Sequence, residues 1–589
     1  MSEPIESYAL LGDMQTAALV SQTGSVDWLC MPRFDSPALF AALVGDDGNG
    51  HWRLAPTGAD RCTRRTYAGD TLVLHTDWET SNGAVRVIDF MPPRGEAPDI
   101  VRIVEGVRGR VQMSCEVRIR FDYGSIIPWV RRTSGGFTAT GGPDSVYLST
   151  PVQLHGRDFV HTATFTVSEG ERVPFVLTWR PSHLRPPRPV DPEQALRDTV
   201  AFWADWLGGC SFDGHWRDAV SRSLITLKAL TYEPTGGIVA AATTSLPEAI
   251  GADRNWDYRF CWLRDATMTL RALVSTGFTD EAKAWREWLL RSIAGDPHQL
   301  RIMYGIAGER RLPESDVPWL SGYAGSRPVR IGNGASDQRQ LDVYGEVMDA
   351  LHLDRHAELS THSDAWTLQR GLLEVLEGRW RDPDQGLWEM RGDPQHYVHS
   401  KVMAWVGFDR AVRGVEEFDL DGPADKWRAL RDEVYDEICA HGYDAERNTF
   451  TQSYGSSAVD AALLLLPQVG FLAPDDPRLV GTVDAIRQDL CEDGFILRYA
   501  NASDGFDSRE GAFIACTLWL ADALHIIGRI DDARELFERV LDIRNDVGLL
   551  AEEYDARQRR QVGNVPQAYS HVALVNTAEA LSRSGQRPR

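Results

Sequence analysis

The chain has 589 residues and a net charge of -23, with 43% hydrophobic and 25% charged residues. This is the composition of a globular protein that is too long for a single small core. The strong negative charge argues against nucleic acid and anionic membrane surfaces as partners, because both attract basic patches.

The N-terminus, MSEPIESYALLGD, has no basic segment followed by a long apolar run, so it does not resemble a secretory signal. No stretch approaches the roughly 18 apolar residues of a membrane span. The eight cysteines are scattered without a C-x-x-C pair. This distribution is typical of reduced thiols and not of a disulfide framework, and it predicts a cytoplasmic protein.

The first predicted elements are short β-strands, rich in β-branched residues and separated by Gly, Pro, Asp and Asn. They cover residues 71–78, 84–90, 101–107, 115–121 and 173–179. We therefore expect an N-terminal antiparallel β-sandwich domain over residues 1–190. A proline-rich stretch, 181–192, follows it, and residues 193–207 read as a helix within a linker that spans 191–213.

From residue 214 to 589 the pattern is helical. Twelve helices are predicted, at 214–231, 263–276, 280–293, 342–355, 361–379, 398–413, 422–440, 455–466, 476–489, 510–526, 529–543 and 567–584. The odd ones are amphipathic: Trp427, Leu430, Val434 and Ile438 share one face of the seventh. The even ones, such as the run 459–466, are apolar on more sides, which is typical of buried helices. Six buried helices alternating with six surface helices predict an (α/α)6 barrel, although helical hairpins without ring closure would give the same alternation.

The inner helices of such a barrel run parallel, so the loops that lead into their N-termini meet at one mouth. Those loops are long and rich in polar and aromatic residues, as functional loops usually are. They cover residues 232–262, 294–341, 380–397, 441–454, 490–509 and 544–566. We therefore expect the chemistry of the protein at this mouth.

Two mouth loops contain carboxylates that suit glycoside cleavage. An inverting enzyme needs a general acid and a general base about 6.5–9.5 Å apart. Glu389 follows Trp388, whose apolar ring raises the pKa of a neighbouring acid. Glu552 and the adjacent Glu553 lie in the loop before the twelfth helix, and a solvated or helix-capping glutamate remains the alternative interpretation for each single residue. The 19 tryptophans of the chain also suit sugar faces, although they serve equally well as core residues.

Four segments together are similar to glycoside hydrolase family 15, the glucoamylase and trehalase family, and the resemblance covers nearly the whole chain. Segment 257–265 (DYRFCWLRD) resembles the family's substrate subsite, and 387–389 (LWE) its general-acid segment. Segment 497–499 (LRY) resembles one whose arginine binds sugar, and 552–554 (EEY) the general-base segment. The resemblance implies a β-supersandwich followed by an (α/α)6 barrel, in agreement with the predicted elements.

The resemblance also implies roles for single residues. Glu389 is expected as general acid and Glu552 as general base. Substrate binding is expected from Tyr258, Trp262, Arg264, Asp265, Leu387, Trp388 and Arg498. In this family the Arg264–Asp265 pair holds the terminal glucose; without the resemblance, the pair reads equally as a structural ion pair at a helix start. No cofactor is expected, and the spacing of the histidines near the mouth predicts no metal site.

Segments 24–40, 321–340 and 563–571 resemble the bacterial branch of the family that includes trehalases, and they are expected either to close the pocket or to pack the sandwich on the barrel. The favoured activity is inverting, exo-acting hydrolysis of a small soluble α-glucoside, α,α-trehalose first, with release of β-glucose. The alternatives are an isomaltose or maltooligosaccharide glucohydrolase, a disaccharide phosphorylase with a basic phosphate pocket in place of Glu552, and a non-catalytic glycan-binding protein. The sequence leaves the oligomeric state open.

Overall fold

A computed structural model describes residues 3–188, 190–359, 363–500 and 509–583. Its N-terminal part is a large antiparallel sheet assembly. The fifteen strands are β1 (Tyr8–Gly12), β2 (Ala17–Ser21), β3 (Ser25–Cys30), β4 (Ala38–Phe40), β5 (His51–Pro56), β6 (Arg64–Tyr67), β7 (Leu74–Thr80), β8 (Gly83–Phe90), β9 (Asp99–Arg118), β10 (Trp129–Thr133), β11 (Gly136–Gly141), β12 (Asp144–Ser149), β13 (His155–Arg157), β14 (Val160–Ser168) and β15 (Arg172–Pro181).

The long strand β9 joins the two layers of this assembly. Its first half pairs with β8 and β15, and its second half pairs with β5 and β14. Two glycines stand where the partners change. Gly109 has a φ of +67°, and a Cβ on Gly106 would lie 2.0 Å from the Ser168 carbonyl oxygen. Glycine is therefore required where β9 passes from one layer to the other.

The structure confirms the predicted antiparallel sandwich and corrects its details. The two strands predicted at 101–107 and 115–121 are one continuous strand, β9. The first five strands, which the sequence reading did not predict, are almost wholly buried. Buried strands are apolar on both faces, so they lack the alternation by which strands are recognised. The boundaries at residues 190 and 213 stay a prediction.

The rest of the chain is mainly helical. The described helices are α1 (Pro192–Leu207), α2 (Arg217–Ala229), α3 (Ala266–Ser275), α4 (Thr279–Ile293), α5 (Asp342–His356), α6 (Ser363–Arg379), α7 (Val398–Phe418), α8 (Ala424–His441), α9 (Pro477–Leu490), α10 (Ile514–Ile526), α11 (Ile530–Asp542) and α12 (Ala568–Arg583). A five-residue 3-10 segment, Ala461–Leu465, lies between α8 and α9.

Six of these elements close a ring. Contacts run from α3 to α5, from α5 to α7, from α7 to the 3-10 segment, and then through α10 and α12 back to α3. The remaining helices of the barrel pack against the outside of the ring, and some of them contact two ring members. They are α2, α4, α6, α8, α9 and α11. The structure is therefore an (α/α)6 barrel, as the alternation of amphipathic and fully apolar helices predicts.

The eighth predicted helix, 455–466, is wrong as an α-helix. Asp460 is extended and pairs with Tyr499 in an isolated β-bridge, so helical backbone begins only at Ala461. Pro467 follows Leu466 and lacks the N–H that would continue a helix. The apolar run is buried as predicted, but it completes the ring with a single short 3-10 turn.

Short β-hairpins and a three-stranded sheet stiffen the mouth and its loops. Their strands are β16 (Thr231–Tyr232), β17 (Gly237–Ile238), β18 (Cys261–Trp262), β19 (Met303–Tyr304), β20 (Ser315–Asp316), β21 (Arg330–Ile331), β22 (Tyr443–Asp444), β23 (Thr449–Phe450), β24 (Cys491–Glu492), β25 (Phe495–Ile496), β26 (Ala512–Phe513), β27 (Glu553–Asp555) and β28 (Arg560–Val562). The last three form one sheet beside the start of α10.

The sandwich packs directly on the barrel. The indole N–H of Trp28 donates to the Ala242 carbonyl over 2.8 Å, and Arg65 forms an ion pair of 2.5 Å with Asp546. All eight cysteines are free thiols, and four of them are buried. No helix within the described ranges combines the length and the hydropathy that crossing a bilayer requires.

Candidate active site

A cavity opens at the mouth of the barrel, and loops before five of the six ring members line it. Among the described residues, the mouth loop 441–454 contributes none of its walls. The lining residues are Ala240, Glu248, Arg254, Trp256, Tyr258, Trp262, Arg264, Asn333, Ala335, Trp388, Glu389, Met390, Arg391, Arg498, Tyr499, Phe513, Glu552 and Gln567. Both carboxylates predicted as catalytic therefore face one space.

The backbone around Glu389 is tightly held. Glu389 has a φ of +57°, a left-handed conformation that is uncommon for a residue other than glycine. Its N–H donates to the Gly386 carbonyl, and its own carbonyl accepts a bond of 3.1 Å from the Gln338 amide. Strained backbone of this kind persists only where its surroundings enforce it, and it is frequent in active sites.

The carboxyl of Glu389 is partly buried, with 20% of its side chain exposed, and it contacts one aromatic and one cationic donor. Its Oε1 accepts a hydrogen bond of 2.7 Å from the Trp262 indole and lies 3.4 Å from Arg264 Nη1. Burial raises the pKa of Glu389, and the Arg264 charge and the indole bond oppose that rise. A carboxyl with a raised pKa keeps its proton at higher pH, as a general acid must, but this property does not separate Glu389 from Glu552, whose pKa is raised to about 8.

Glu552 immediately precedes β27. Its backbone N–H donates to the Asn564 carbonyl, and its carbonyl accepts from the N–H of Ile514, so it is held like a strand residue. The side chain is buried, and Oε1 has no hydrogen-bond partner within the described part of the chain. Burial raises the pKa of Glu552, the charge of Glu248 raises it further, and Arg498 and the Tyr258 hydroxyl lower it.

Glu553 occupies a different environment from its neighbour. It is fully buried, but it does not line the cavity. Its Oε2 accepts from the Gly511 N–H over 2.9 Å, and its Oε1 lies 3.4 Å from Arg498. Consecutive residues of extended chain point to opposite sides. Of this adjacent pair, Glu552 is therefore the one available to a molecule in the cavity.

Arg498 sits in a cluster of buried carboxyl groups. Its Nη2 donates to Glu510 Oε2 over 2.6 Å and to Glu248 Oε2 over 2.7 Å. Arg254 adds a second guanidinium, with Nη1 2.9 Å from Glu510 Oε2. The oxygens of Glu248, Glu510 and Glu553 lie within 4.8 Å of one another, a spacing that fits a metal ion. The guanidinium of Arg498 already provides the positive charge there.

The other predicted residues divide into two groups. Tyr258, Trp262 and Trp388 line the cavity, as do Arg264 and Arg498. Two further predicted residues do not line it. Asp265 forms an ion pair of 3.0 Å with Arg264, and it makes no side-chain cap on α3. Leu387 is buried, and its carbonyl accepts from Arg264 over 3.0 Å. Both residues therefore contact Arg264, which itself lines the cavity.

Trp388 forms part of an aromatic wall. Its ring lies 5.9 Å from Phe513 and 6.3 Å from Tyr499, and its indole N–H donates to Asp460 over 3.2 Å. Two further lining residues, Tyr258 and Trp262, contact each other edge to face at 5.2 Å. Flat apolar rings with polar edges match the two kinds of surface that a pyranose presents.

Several residues that line the cavity were not predicted from the sequence. Glu248, Trp256 and Asn333 lie in predicted mouth loops, so loop position was the available signal, but nothing local separates them from their neighbours. Glu510 and Arg498 are 12 residues apart, whereas Glu248 and Arg498 are 250 apart. Long-range pairing of this kind is visible only in the fold.

The three trehalase-like segments have different roles. In segment 24–40 no residue lines the cavity, and Ser36 accepts from Arg259 across the domain contact. Segment 321–340 contributes Asn333 and Ala335 to the wall, and segment 563–571 contributes Gln567. The first segment therefore packs the sandwich on the barrel, and the other two form part of the cavity.

Comparison with known proteins agrees with this geometry. The family model described as Glycosyl hydrolases family 15 matches residues 214–579, and the model described as Trehalase-like, N-terminal matches residues 1–203. A trehalase of Mycobacterium tuberculosis is 38% identical, over 99% of this chain and 90% of its own. A trehalase of Thermoplasma volcanium is 34% identical, over 98% of this chain and 94% of its own.

Among solved structures, a bacterial glucoamylase complexed with acarbose superposes with a TM-score of 0.75 and 12% identity, covering 98% of this chain and 94% of its own. At that identity the likeness concerns the fold, and it agrees with the sandwich followed by a closed ring of helices. The family-model match covers the ring up to residue 579 in α12, and it includes the loops that carry Glu389 and Glu552. The chain therefore belongs to glycoside hydrolase family 15 and is a glycoside hydrolase.

Proposed function

We propose that the protein hydrolyses α,α-trehalose with inversion, with Glu389 as general acid and Glu552 as general base. The observation that carries this proposal is that Glu389 and Glu552 line one cavity, each in a distinct environment. Glu389 bonds to an indole and faces a guanidinium, while Glu552 lines the cavity with one carboxyl oxygen, Oε1, that has no hydrogen-bond partner among the described residues. An inverting glycosidase needs one carboxyl group that gives a proton to the leaving oxygen and a second that activates water.

The chemistry follows from these environments. Glu389 gives its proton to the glycosidic oxygen as the bond from that oxygen to the anomeric carbon breaks. Glu552 takes a proton from a water molecule whose oxygen attacks the same carbon from the opposite face. The attacked glucose leaves as the β anomer. The second glucose keeps its own C1–O bond and leaves as the α anomer.

Binding of the terminal glucose falls to the charged and aromatic residues of the wall. Arg264 and Arg498 present guanidinium groups to the cavity, and charge-assisted hydrogen bonds to hydroxyls are strong. Trp262 and Trp388 supply apolar faces. Both arginines are already tied to carboxylates, so their positions are set before a sugar arrives.

Trehalose is favoured as substrate because relatives named trehalase match nearly the full chain at 34–38% identity. The sandwich is part of the match. A glucohydrolase for isomaltose or maltooligosaccharides is the alternative, since the catalytic pair is suited to any terminal α-glucoside. We also propose that the substrate is a small glucoside and that the protein acts in the cytoplasm. The eight free thiols support a cytoplasmic location, where cysteines stay reduced.

Glucose release from trehalose, isomaltose, maltose and panose tests the substrate. We expect kcat/KM to be highest for trehalose. Higher values for isomaltose or maltose would replace trehalose by the alternative. Glucose 1-phosphate formed only when phosphate is added would instead identify a phosphorylase.

Variants test the roles of the two carboxyl groups. Glu389→Gln and Glu552→Gln should each lower kcat on trehalose by at least about 10²-fold. On α-glucosyl fluoride, whose leaving group needs no proton, Glu389→Gln should recover most of its activity and Glu552→Gln should not. Glu553→Gln is the matched control, because an amide can still accept from Gly511. If Glu553→Gln lost more activity than Glu552→Gln, the base would be Glu553.

A further inference from the structure

Two histidines and a glutamate converge at the end of the barrel opposite the mouth. His352 and His356 are four residues apart near the C-terminus of α5, so they lie one turn apart on the same helix face. Glu417 is the penultimate residue of α7, the next member of the ring. The ring runs with its N-termini at the mouth, so this cluster is far from the cavity.

The three ligand atoms face one another closely. The Nε2 atoms of His352 and His356 are 3.1 Å apart, and Glu417 Oε2 lies 3.0 Å from His356 Nε2 and 3.8 Å from His352 Nε2. In a tetrahedral zinc site with bonds of about 2.0–2.1 Å, neighbouring ligand atoms are roughly 3.3 Å apart. The triangle of nitrogen, nitrogen and oxygen matches that spacing.

Neighbouring side chains hold the three groups in place. Phe418 contacts the ring of His352 at 5.8 Å and that of His356 at 4.9 Å, both edge to face. Arg413 donates to the other oxygen of Glu417, Oε1, over 2.8 Å, which leaves Oε2 to face the histidines. Partners that orient a ligating carboxylate in this way are typical of metal sites.

The cluster is open to solvent on one side. The side chain of His352 is 6% exposed, whereas those of His356 and Glu417 are 49% and 33% exposed. An ion can therefore enter from solvent, and water can complete its coordination. Arg410, the other cation nearby, forms ion pairs with Asp349 and Asp409.

We propose that His352, His356 and Glu417 bind one divalent ion of the zinc class and thereby link α5 to α7. Two imidazole nitrogens favour zinc, nickel or copper over magnesium and calcium, which prefer oxygen ligands. An ion held by both helices stabilises the folded ring, because the unfolded chain does not bring Glu417 to the histidines. Hydrolysis does not depend on this site, since it lies at the other end of the barrel.

Zn²⁺ titration of the chelator-treated full chain tests the proposal, by calorimetry and by competition with a chromophoric chelator. We expect one equivalent to bind, with the thermal midpoint of unfolding raised. His356→Ala and Glu417→Gln should each weaken this binding at least about tenfold. Both side chains are partly exposed, so the variants should fold. The matched control is His155→Ala, an exposed histidine of the sandwich, which should bind as the wild type does.

Co²⁺ gives a second measurement, because its visible absorption reports on coordination by nitrogen and oxygen. The wild-type spectrum should be lost in both variants, and glucose release should stay within about twofold of wild type. Unchanged Zn²⁺ affinity in His356→Ala and Glu417→Gln would overturn the proposal. So would a wild-type protein that binds no more Zn²⁺ than the two variants do.

Discussion

The indole N–H of Trp262 donates to Glu389 Oε1 over 2.7 Å, and this bond ties the proposed general acid to the wall of the cavity. A hydrogen bond to a carboxylate favours its charged form, so the indole lowers the pKa of Glu389 against the rise that burial causes. The two effects together set the pH above which the acid loses its proton.

Trp262→Phe should therefore raise the pKa of Glu389. The general acid works when protonated, so the alkaline limb of the kcat/KM profile should move to higher pH, while kcat at the optimum falls because a wall residue has changed. Profiles of the wild type and the variant measure this directly. A limb that stayed in place or moved to lower pH would contradict the role of the indole bond.

The neighbours of Glu552 should shift the acidic limb of the pH profile, not the alkaline one. Glu552 works when deprotonated, so its pKa sets the acidic limb of the kcat/KM profile. Glu248→Gln removes a negative charge that raises this pKa, so the acidic limb should move to lower pH. Tyr258→Phe removes a hydroxyl that lowers it, so the limb should move to higher pH. Shifts of the same sign in the two variants would contradict this account.

Arg498 should matter for stability as well as for binding. Arg498→Met leaves Glu248 and Glu510 without their main cation in a buried site, and such a loss costs about 3–5 kcal/mol of unfolding free energy. Arg391 also lines the cavity, but its side chain is 40% exposed, so Arg391→Met should cost less than about 1 kcal/mol. Urea denaturation of both variants compares the two costs. Equal losses would show that the buried cluster contributes little.

A glycine permits the close packing of the ring. A Cβ on Gly345 of α5 would lie 2.1 Å from the Met403 carbonyl oxygen of α7, so Gly345→Ala should destabilise the barrel by about 1–3 kcal/mol. A Cβ on Gly378 in α6 would have no atom within 4 Å. Gly378→Ala should therefore stabilise the folded protein by roughly 0.5 kcal/mol. Thermal unfolding should separate the two variants in opposite directions.

The periodicity of the sequence predicted most of the barrel. The contrast between amphipathic helices, such as that containing Trp427, and fully apolar runs identified outer and inner members, and the contacts confirm a closed ring. Periodicity did not predict that the run ending at Leu466 is a 3-10 segment, because burial and helix type are separate properties. Strands β1 to β5 were not predicted because they are buried on both faces and so lack the alternation of apolar and polar residues.

The candidate site was predictable only where a motif or a loop identified it. Trp388 and Glu389 are neighbours in sequence, and Arg264 lies in a recognisable segment. The cluster around Arg498 is different, because Glu248 meets it across 250 residues. No local pattern distinguishes a buried glutamate in a polar network from a solvated one. The effect of Glu248 on the pKa of Glu552 therefore follows only from the fold.

In the proposed mechanism, one carboxyl protonates the leaving oxygen of trehalose while the other activates water from the opposite face. Proton NMR of the anomers released in the first turnovers, recorded before mutarotation, tests it most directly. Inversion should release equal amounts of α-glucose and β-glucose from trehalose. Release of α-glucose alone would mean retention, and it would contradict the roles assigned to Glu389 and Glu552.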